Sequence, residues 1–255
     1  SASELPDEPP VTDENRVTLP EEEEPASVEI TPAAPDDRAG EEPRKPVETA
    51  NDRTLVMELK QGPVDSGQIA LTFDAGASSK PTPELLVVLA QKGVHATFFL
   101  TGKWVEQNKQ LTREIVSAGH EIGNHTYSHP DLRNLSDDRI RQELGKTEAI
   151  IQDVAGVSTK PFFRPPYGGR DARVLQVASD EGYRCIYWTA DSWDGFKKGI
   201  KADEIEKRVL DRAEPGAIVL MHCGSWPTVD ALPRIIDKLR ANGYELVKVS
   251  DLGGH

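Results

Sequence analysis

Glu121-Ile122-Gly123-Asn124-His125-Thr126-Tyr127-Ser128-His129-Pro130 is a short apolar run that leads at once into two histidines four residues apart. On one turn of helix or in a tight loop, side chains at i and i+4 point the same way. Two imidazoles so placed can share one divalent ion, and imidazole suits Zn, Co, Ni or Fe. An isolated pair with this spacing is more often ordinary surface or core histidine. Here it is not isolated, because other apolar runs along the chain end in polar motifs in the same way.

Outward from that stretch, short apolar runs alternate with amphipathic segments from residue 54 onward, the signature of βαβ units and a parallel sheet. The strand-like runs are Gln68–Phe73, Ala96–Leu100, Glu121–Gly123, Pro161–Phe163, Tyr183–Thr189, Ala217–Met221 and Tyr244–Val249. Between them lie helix-like segments at Thr82–Gln91, Lys103–Ala118, Ser136–Ala155, Asp171–Glu181, Lys201–Arg212 and Val229–Ala241. Polar residues follow nearly every strand rather than clustering at one switch point. That favours an α/β fold of the irregular or incomplete (β/α) barrel kind, with seven or so parallel strands. In such barrels the active site lies at the C-terminal ends of the strands.

The net charge of −13 is unevenly spread. Residues 1–50 carry 15 Asp and Glu against 4 Lys and Arg, 9 of the 19 prolines, and no Phe, Trp or Tyr. Such a segment buries too little apolar surface to offset its ordering entropy, so residues 1–53 are expected to be a disordered acidic tether. Residues 54–255 form the expected catalytic domain, close to neutral, and nothing in them points to nucleic acid. No run is long and apolar enough to span a bilayer. Residue 1 already lies inside the polar segment, so no leader is expected in this chain. The architecture suggests an extracytoplasmic protein, secreted or tethered through its N-terminal segment. No apolar stripe stands out, and a monomer is expected. Cys185 and Cys223 lie about six residues out of step on two strands, roughly 20 Å if the strands are neighbours, so two free thiols are expected.

The strand ends collect a chemical set. The first leads into Thr72-Phe73-Asp74-Ala75, the third into His125 and His129, and the fourth into Arg164-Pro165-Pro166-Tyr167. The fifth is followed by Asp191-Ser192-Trp193-Asp194-Gly195, and the sixth ends in Leu220-Met221-His222. Taken singly, Asp74 could cap a helix, Arg164 could pair on the surface and His222 could sit satisfied in the core. Convergence on one barrel face makes those readings jointly weak.

In this order the motifs resemble those of the polysaccharide deacetylases of carbohydrate esterase family 4, the NodB-homology domain. The likeness runs from about Ile69 to Leu252. It implies metal-assisted hydrolysis of an N-acetyl group on an aminosugar of peptidoglycan or a chitin-like oligosaccharide. The resemblance implies a divalent ion, Zn first and Co, Ni or Fe as alternatives, on His125 and His129. Asp74 would be the general base, His222 the general acid tuned by Asp194, and Arg164 the residue that pins Asp74. It further implies the backbone N–H of Tyr167 as an oxyanion donor and Leu220 as the lining for the acetyl methyl.

Two departures matter. Where the family pattern has a second Asp as metal ligand, this chain has Ala75, which coordinates nothing. Gly195 stands where the motif has Trp, and Trp193 or Trp226 is expected to replace that groove wall. A catalytically impaired or inactive sugar-binding relative is therefore the alternative, with hydrolysis of a cyclic amide behind it.

Overall fold

The computed structural model describes residues 57–253; the tether expected over 1–53 lies outside the described residues. In chain order the elements are β1 (Glu58–Leu59), β2 (Gln68–Ala75), α1 (Thr82–Lys92), β3 (Thr97–Leu100), α2 (Gly102–Gln107), α3 (Lys109–Ser117) and β4 (Glu121–Asn124). They continue with α4 (Asp137–Ala155), β5 (Phe162–Phe163), α5 (Ala172–Asp180), β6 (Arg184–Ile186) and β7 (Ala190–Asp191). The last are α6 (Ala202–Leu210), β8 (Ile218–His222), α7 (Trp226–Ala241) and β9 (Glu245–Val247).

All strand pairings are parallel, in the order β1-β6-β5-β4-β3-β2-β8-β7, with β9 added against the first residues of β2. The sheet curls into an incomplete α/β barrel, as expected. Among the described residues its strands number nine rather than seven. β1 and β7 are two-residue strands, too short to leave a periodic pattern.

The expected strand Tyr183–Thr189 splits. Its first half is β6, while Tyr187–Thr189 crosses from one end of the strand order to the other and delivers β7 beside β8. The Tyr187 N–H donates to Leu59 O at 2.8 Å and the Thr189 N–H to Ile218 O at 3.1 Å. The chain itself thus draws the two ends of the sheet together.

The expected helix Lys103–Ala118 is also two elements. Asn108 adopts φ −131° and ψ 44°, and its side-chain amide donates to Trp104 O at 2.8 Å. Its carbonyl accepts from the N–H and hydroxyl of Thr112, so one residue closes α2 and opens α3. At α7 the correction runs the other way. The helix begins three residues before the expected Val229, because Ser225 caps it by accepting from Thr228 N and a proline sits in its first turn.

β2 shows why the site is where it is. A central parallel strand is buried on both faces, and all eight residues of β2 are buried. Ile69, Leu71, Phe73 and Ala75 face the large core beneath the helices, alongside Leu85, Leu89, Ile235 and Ile236. Ala70 faces the barrel interior with Phe99, Ile186, Ile218 and Val249. Alternation puts Thr72 and Asp74 on that inner face too. Register then sets Thr72 beside Leu220 and Asp74 beside His222. The inner face is apolar at the bottom of the barrel and chemical at the top.

Cys185 and Cys223 are buried free thiols, in accord with expectation. The reason differs, since β6 and β8 are not neighbours in the sheet.

Candidate active site

Asp74 ends the inner face of β2, and its carboxylate is held from one side by Arg164. The guanidinium is fully buried and donates through Nη1 to Asp74 Oδ1 at 2.7 Å and to Thr72 Oγ1 at 2.8 Å. Its Nε donates to Ile186 O at 3.0 Å, and the cation lies 4.2 Å over the Phe99 ring. Burial alone would raise the Asp74 carboxyl, but Arg164, followed by His125 and His222, holds it below its ordinary range. Asp74 is therefore an anion at neutral pH.

His125 leaves β4 with its N–H donating to Leu100 O at 3.0 Å. Its imidazole Nδ1 lies 2.8 Å from Arg164 O. A carbonyl only accepts, so Nδ1 carries the proton and Nε2 offers a lone pair, the tautomer a metal-ligating histidine uses. Burial, outweighing the attraction of Asp74 and assisted by His129, pushes the His125 imidazole down to about 4. Nε2 then faces Asp74 Oδ2 at 3.5 Å. Two acceptors aimed at each other suit a cation between them. His129 stands beside His125 with ring centroids 4.9 Å apart, and burial lowers its pKa as well.

His222 ends β8, paired with Asp74 across the strands. Its Nδ1 lies 2.7 Å from Asp194 Oδ1. The Asp194 side chain is fully buried and accepts three further hydrogen bonds. These come from Ser192 Oγ at 2.7 Å, the His222 N–H at 2.8 Å and Thr228 Oγ1 at 2.5 Å. Burial works against the imidazolium, but the hydrogen bond and charge of Asp194, with Asp74 and Asp191, override it and raise His222 to about 9. At neutral pH the site thus holds a carboxylate and an imidazolium on adjacent strands.

Both groups, with His125 and His129, line a cleft of about 760 Å³ that Phe196, Lys198 and Trp226 help to wall. Phe196 is 85% and Trp226 49% exposed. Trp226, one of the two residues expected for the wall, lines the cleft as the first residue of α7. Trp193 lies elsewhere, with its indole 3.2 Å from the Arg208 guanidinium and outside the cleft lining. Phe196 was not singled out from the sequence, since a lone exposed aromatic in a Gly/Lys loop carries no pattern.

Gly195 backs onto His222 so closely that a Cβ there would lie 2.7 Å from both ring nitrogens. A bulky residue at 195 is incompatible with this imidazole position. Tyr167 is 73% exposed, its ring 4.6 Å from that of His129, and it adopts φ 58°. Its backbone N–H has no partner among the described residues. Leu220 is buried on the inner face, one layer beneath His222.

Residues 61–186 match the family profile described as polysaccharide deacetylase. Over 197 residues the chain is 39% identical to a peptidoglycan-N-acetylglucosamine deacetylase of Bacillus cereus, covering 75% of this chain and 70% of that protein. The chain belongs to the polysaccharide deacetylase family. The expected enzyme class, a polysaccharide N-deacetylase, is that of the relatives this family member matches.

Among solved structures, it is similar to a carbohydrate esterase family 4 pseudoenzyme from Bacillus anthracis. The TM-score is 0.74 with 34% identity over 77% of this chain and 69% of that one. A mutant of that pseudoenzyme with restored enzymatic activity matches equally well, at a TM-score of 0.74 and 36% identity.

His125 and His129 suit a divalent ion as neutral imidazole donors. Ala75, however, is 1% exposed and packs with the outer core beneath the helices. Cys223 lies in the same cluster, and burial pushes its thiol up to about 12. Among the described residues, no group of three or more His, Cys, Asp and Glu is placed to hold a metal ion. The site offers two imidazole ligands, one protein ligand short of the usual catalytic three.

Proposed function

We propose that this deacetylase-family member removes N-acetyl groups from aminosugars of an extracytoplasmic polysaccharide, peptidoglycan before chitin-like chains. The observation that carries the reading is the His222–Asp194 pair. A buried carboxylate with four donors holds an imidazole protonated, at about 9, directly across from an ionised Asp74. An amide is a poor electrophile with a poor leaving group, so its hydrolysis needs a base at one side of the carbonyl and an acid at the other.

In this reading Asp74 takes a proton from water as the water oxygen bonds to the acetyl carbon. Arg164 keeps the Asp74 carboxylate ionised and aimed. The carbonyl oxygen gains negative charge, which the N–H of Tyr167 would receive. His222 then gives its Nε2 proton to the nitrogen as the C–N bond breaks, leaving a free amine and acetate. Asp194 stabilises the imidazolium beforehand. A divalent ion held by His125 and His129 would supply Lewis acidity to the same carbonyl. Leu220, buried one layer beneath His222 and outside the cleft lining, would support the methyl site from below, Trp226 and Phe196 would flank the sugar, and Trp193 braces Arg208 from outside.

A second reading has its own observation: Ala75 leaves the metal site short of a ligand and packs into the core without strain. On that reading the cleft binds N-acetylated glycan without cleaving it. One preparation separates the two. Acetate release from N-acetylated oligosaccharides and bound metal are measured with and without Zn²⁺ or Co²⁺, for wild type, Asp74→Asn and Ala75→Asp. The hydrolytic reading expects metal-stimulated acetate from wild type, abolished in Asp74→Asn. Acetate from Ala75→Asp alone would transfer the case to the binding reading.

A further inference from the structure

The loop that carries both histidines is unusual in how its backbone is satisfied. Thr126 and His129 both sit at positive φ, 65° and 62°. Such conformations cost roughly 1–3 kcal/mol each in a non-glycine residue and persist only where surroundings over-determine them. Every N–H from residue 125 to 129 finds an acceptor. His125 uses the sheet, through Leu100 O. Thr126 N donates to Asn124 Oδ1 at 2.9 Å and His129 N to Thr126 Oγ1 at 3.2 Å, both within the loop's own sequence. The two in the middle reach a distant residue. Tyr127 N and Ser128 N donate to Glu143 Oε2 at 2.9 and 2.7 Å, and Ser128 Oγ donates to Glu143 Oε1 at 2.8 Å.

Glu143 is on α4, buried, and in no ion pair among the described residues. A buried carboxylate without a cation is costly unless its oxygens are hydrogen-bonded. Here both oxygens are, and all three donors belong to Tyr127 and Ser128. Gly102 N and Lys103 N at the start of α2 donate to Thr126 O and Tyr127 O at 3.0 Å each. The loop is held by one helix that supplies donors and another that supplies one acceptor side chain.

We propose that Glu143 is the positioning residue of the histidine loop, fixing the spacing of His125 and His129 through the Tyr127–Ser128 backbone. It touches neither imidazole. The proposal rests on the functional reading above only for what the imidazoles serve, and the hold itself is a property of this chain. It accounts for a buried carboxyl group with no ion-pair partner among the described residues and for two strained residues in one five-residue turn. A neutral amide can do the same work. In Glu143→Gln, the carbonyl oxygen can accept the two N–H groups while the NH₂ donates to Ser128 Oγ. Alanine removes the acceptor that the N–H groups of Tyr127 and Ser128 share.

The test compares wild type, Glu143→Gln, Glu143→Ala and Ser128→Ala by amide hydrogen exchange, Co²⁺ titration and thermal unfolding. For Glu143→Ala, exchange at Tyr127, Ser128 and His129 should accelerate at least tenfold while α4 and β4 keep their protection. Co²⁺ affinity should fall roughly 10–100-fold, the range for losing a support of a metal ligand. Glu143→Gln should restore both to within a few-fold, and Ser128→Ala should fall between. Unchanged loop exchange in Glu143→Ala would overturn the proposal, and so would loosening spread evenly over α4 and the sheet. Should Glu143→Ala not fold, the contrast between Glu143→Gln and Ser128→Ala decides it by the same exchange readout. Absence of Co²⁺ binding in wild type, with the loop effect intact, would count against metal use in the functional reading and leave the positioning role standing.

Discussion

Asp194→Asn isolates the feature on which the hydrolytic reading leans. In the wild type His222 is raised to about 9 against the effect of its own burial, chiefly through the hydrogen bond and charge of Asp194. The substitution keeps an acceptor near Nδ1 but removes the charge, while burial stays. His222 should then titrate at or below the ordinary histidine value of about 6.5. At pH 7.5 the protonated fraction would drop from about 97% to about 10% or less, given a factor of ten per pH unit. Imidazole ¹⁵N shifts followed from pH 5 to 10 read this directly, with or without turnover. A group whose pKa is raised on folding stabilises the fold below its unfolded value and ceases to do so above its folded one. Wild-type stability should therefore decline between about pH 6.5 and 9, and that decline should be missing in Asp194→Asn. If the variant imidazole still titrates near 9, the charge of Asp194 is not what holds the proton, and the acid role assigned to His222 loses its physical basis.

Other outcomes follow from the same geometry. Arg164→Met strips Asp74 of its buried partner, so urea unfolding should show a loss of about 3–5 kcal/mol; a loss under about 1 kcal/mol would mean that the pair is not holding the barrel. Gly195→Ala places a methyl against an imidazole pinned by Asp194, so turnover should fall at least tenfold and the His222 resonances should move, with the melting temperature nearly unchanged. Phe196→Ala and Trp226→Ala remove exposed rings, so stability should stay within about 0.5 kcal/mol. KM for oligosaccharides should rise roughly 2–10-fold, in keeping with about 0.5–1.5 kcal/mol of aromatic contact. A rise seen only with the Trp193→Ala control would place the sugar on the other side of the loop.

The strand ends were legible because polar residues after apolar runs survive any error in strand length. Asp74, Arg164 and His222 are each one step past a readable pattern, and His125 is two. The partner of His222 is also within reach, since the resemblance names Asp194 and its carboxylate lies 2.7 Å from Nδ1. What escaped was information carried by pairing rather than by periodicity. β1 and β7 exist only through hydrogen bonds to β6 and β8. Asn108 breaks a helix without breaking its amphipathic rhythm. Trp193 was as plausible a wall as Trp226 until its backbone took φ 66° and its ring settled on Arg208. Glu143 looked like one more charge on a helix with several, because nothing local reports that its oxygens face a loop.

The crossing at Tyr187–Thr189 has a bearing on how members of such a family lose chemistry over generations. Arg164 donates to Ile186 O and, at 3.4 Å, to Tyr187 O, where the chain leaves β6 for β7, and with the same group it grips Asp74. Selection for a folded barrel therefore preserves both residues whether or not any substrate is ever turned over. Erosion is free to act where replacement packs quietly, as a methyl at position 75 does. Inheritance of Asp74 and Arg164 is thus silent about use. His222 is the more telling residue, since its imidazole is 37% exposed and, among the described residues, its ring hydrogen-bonds only to Asp194.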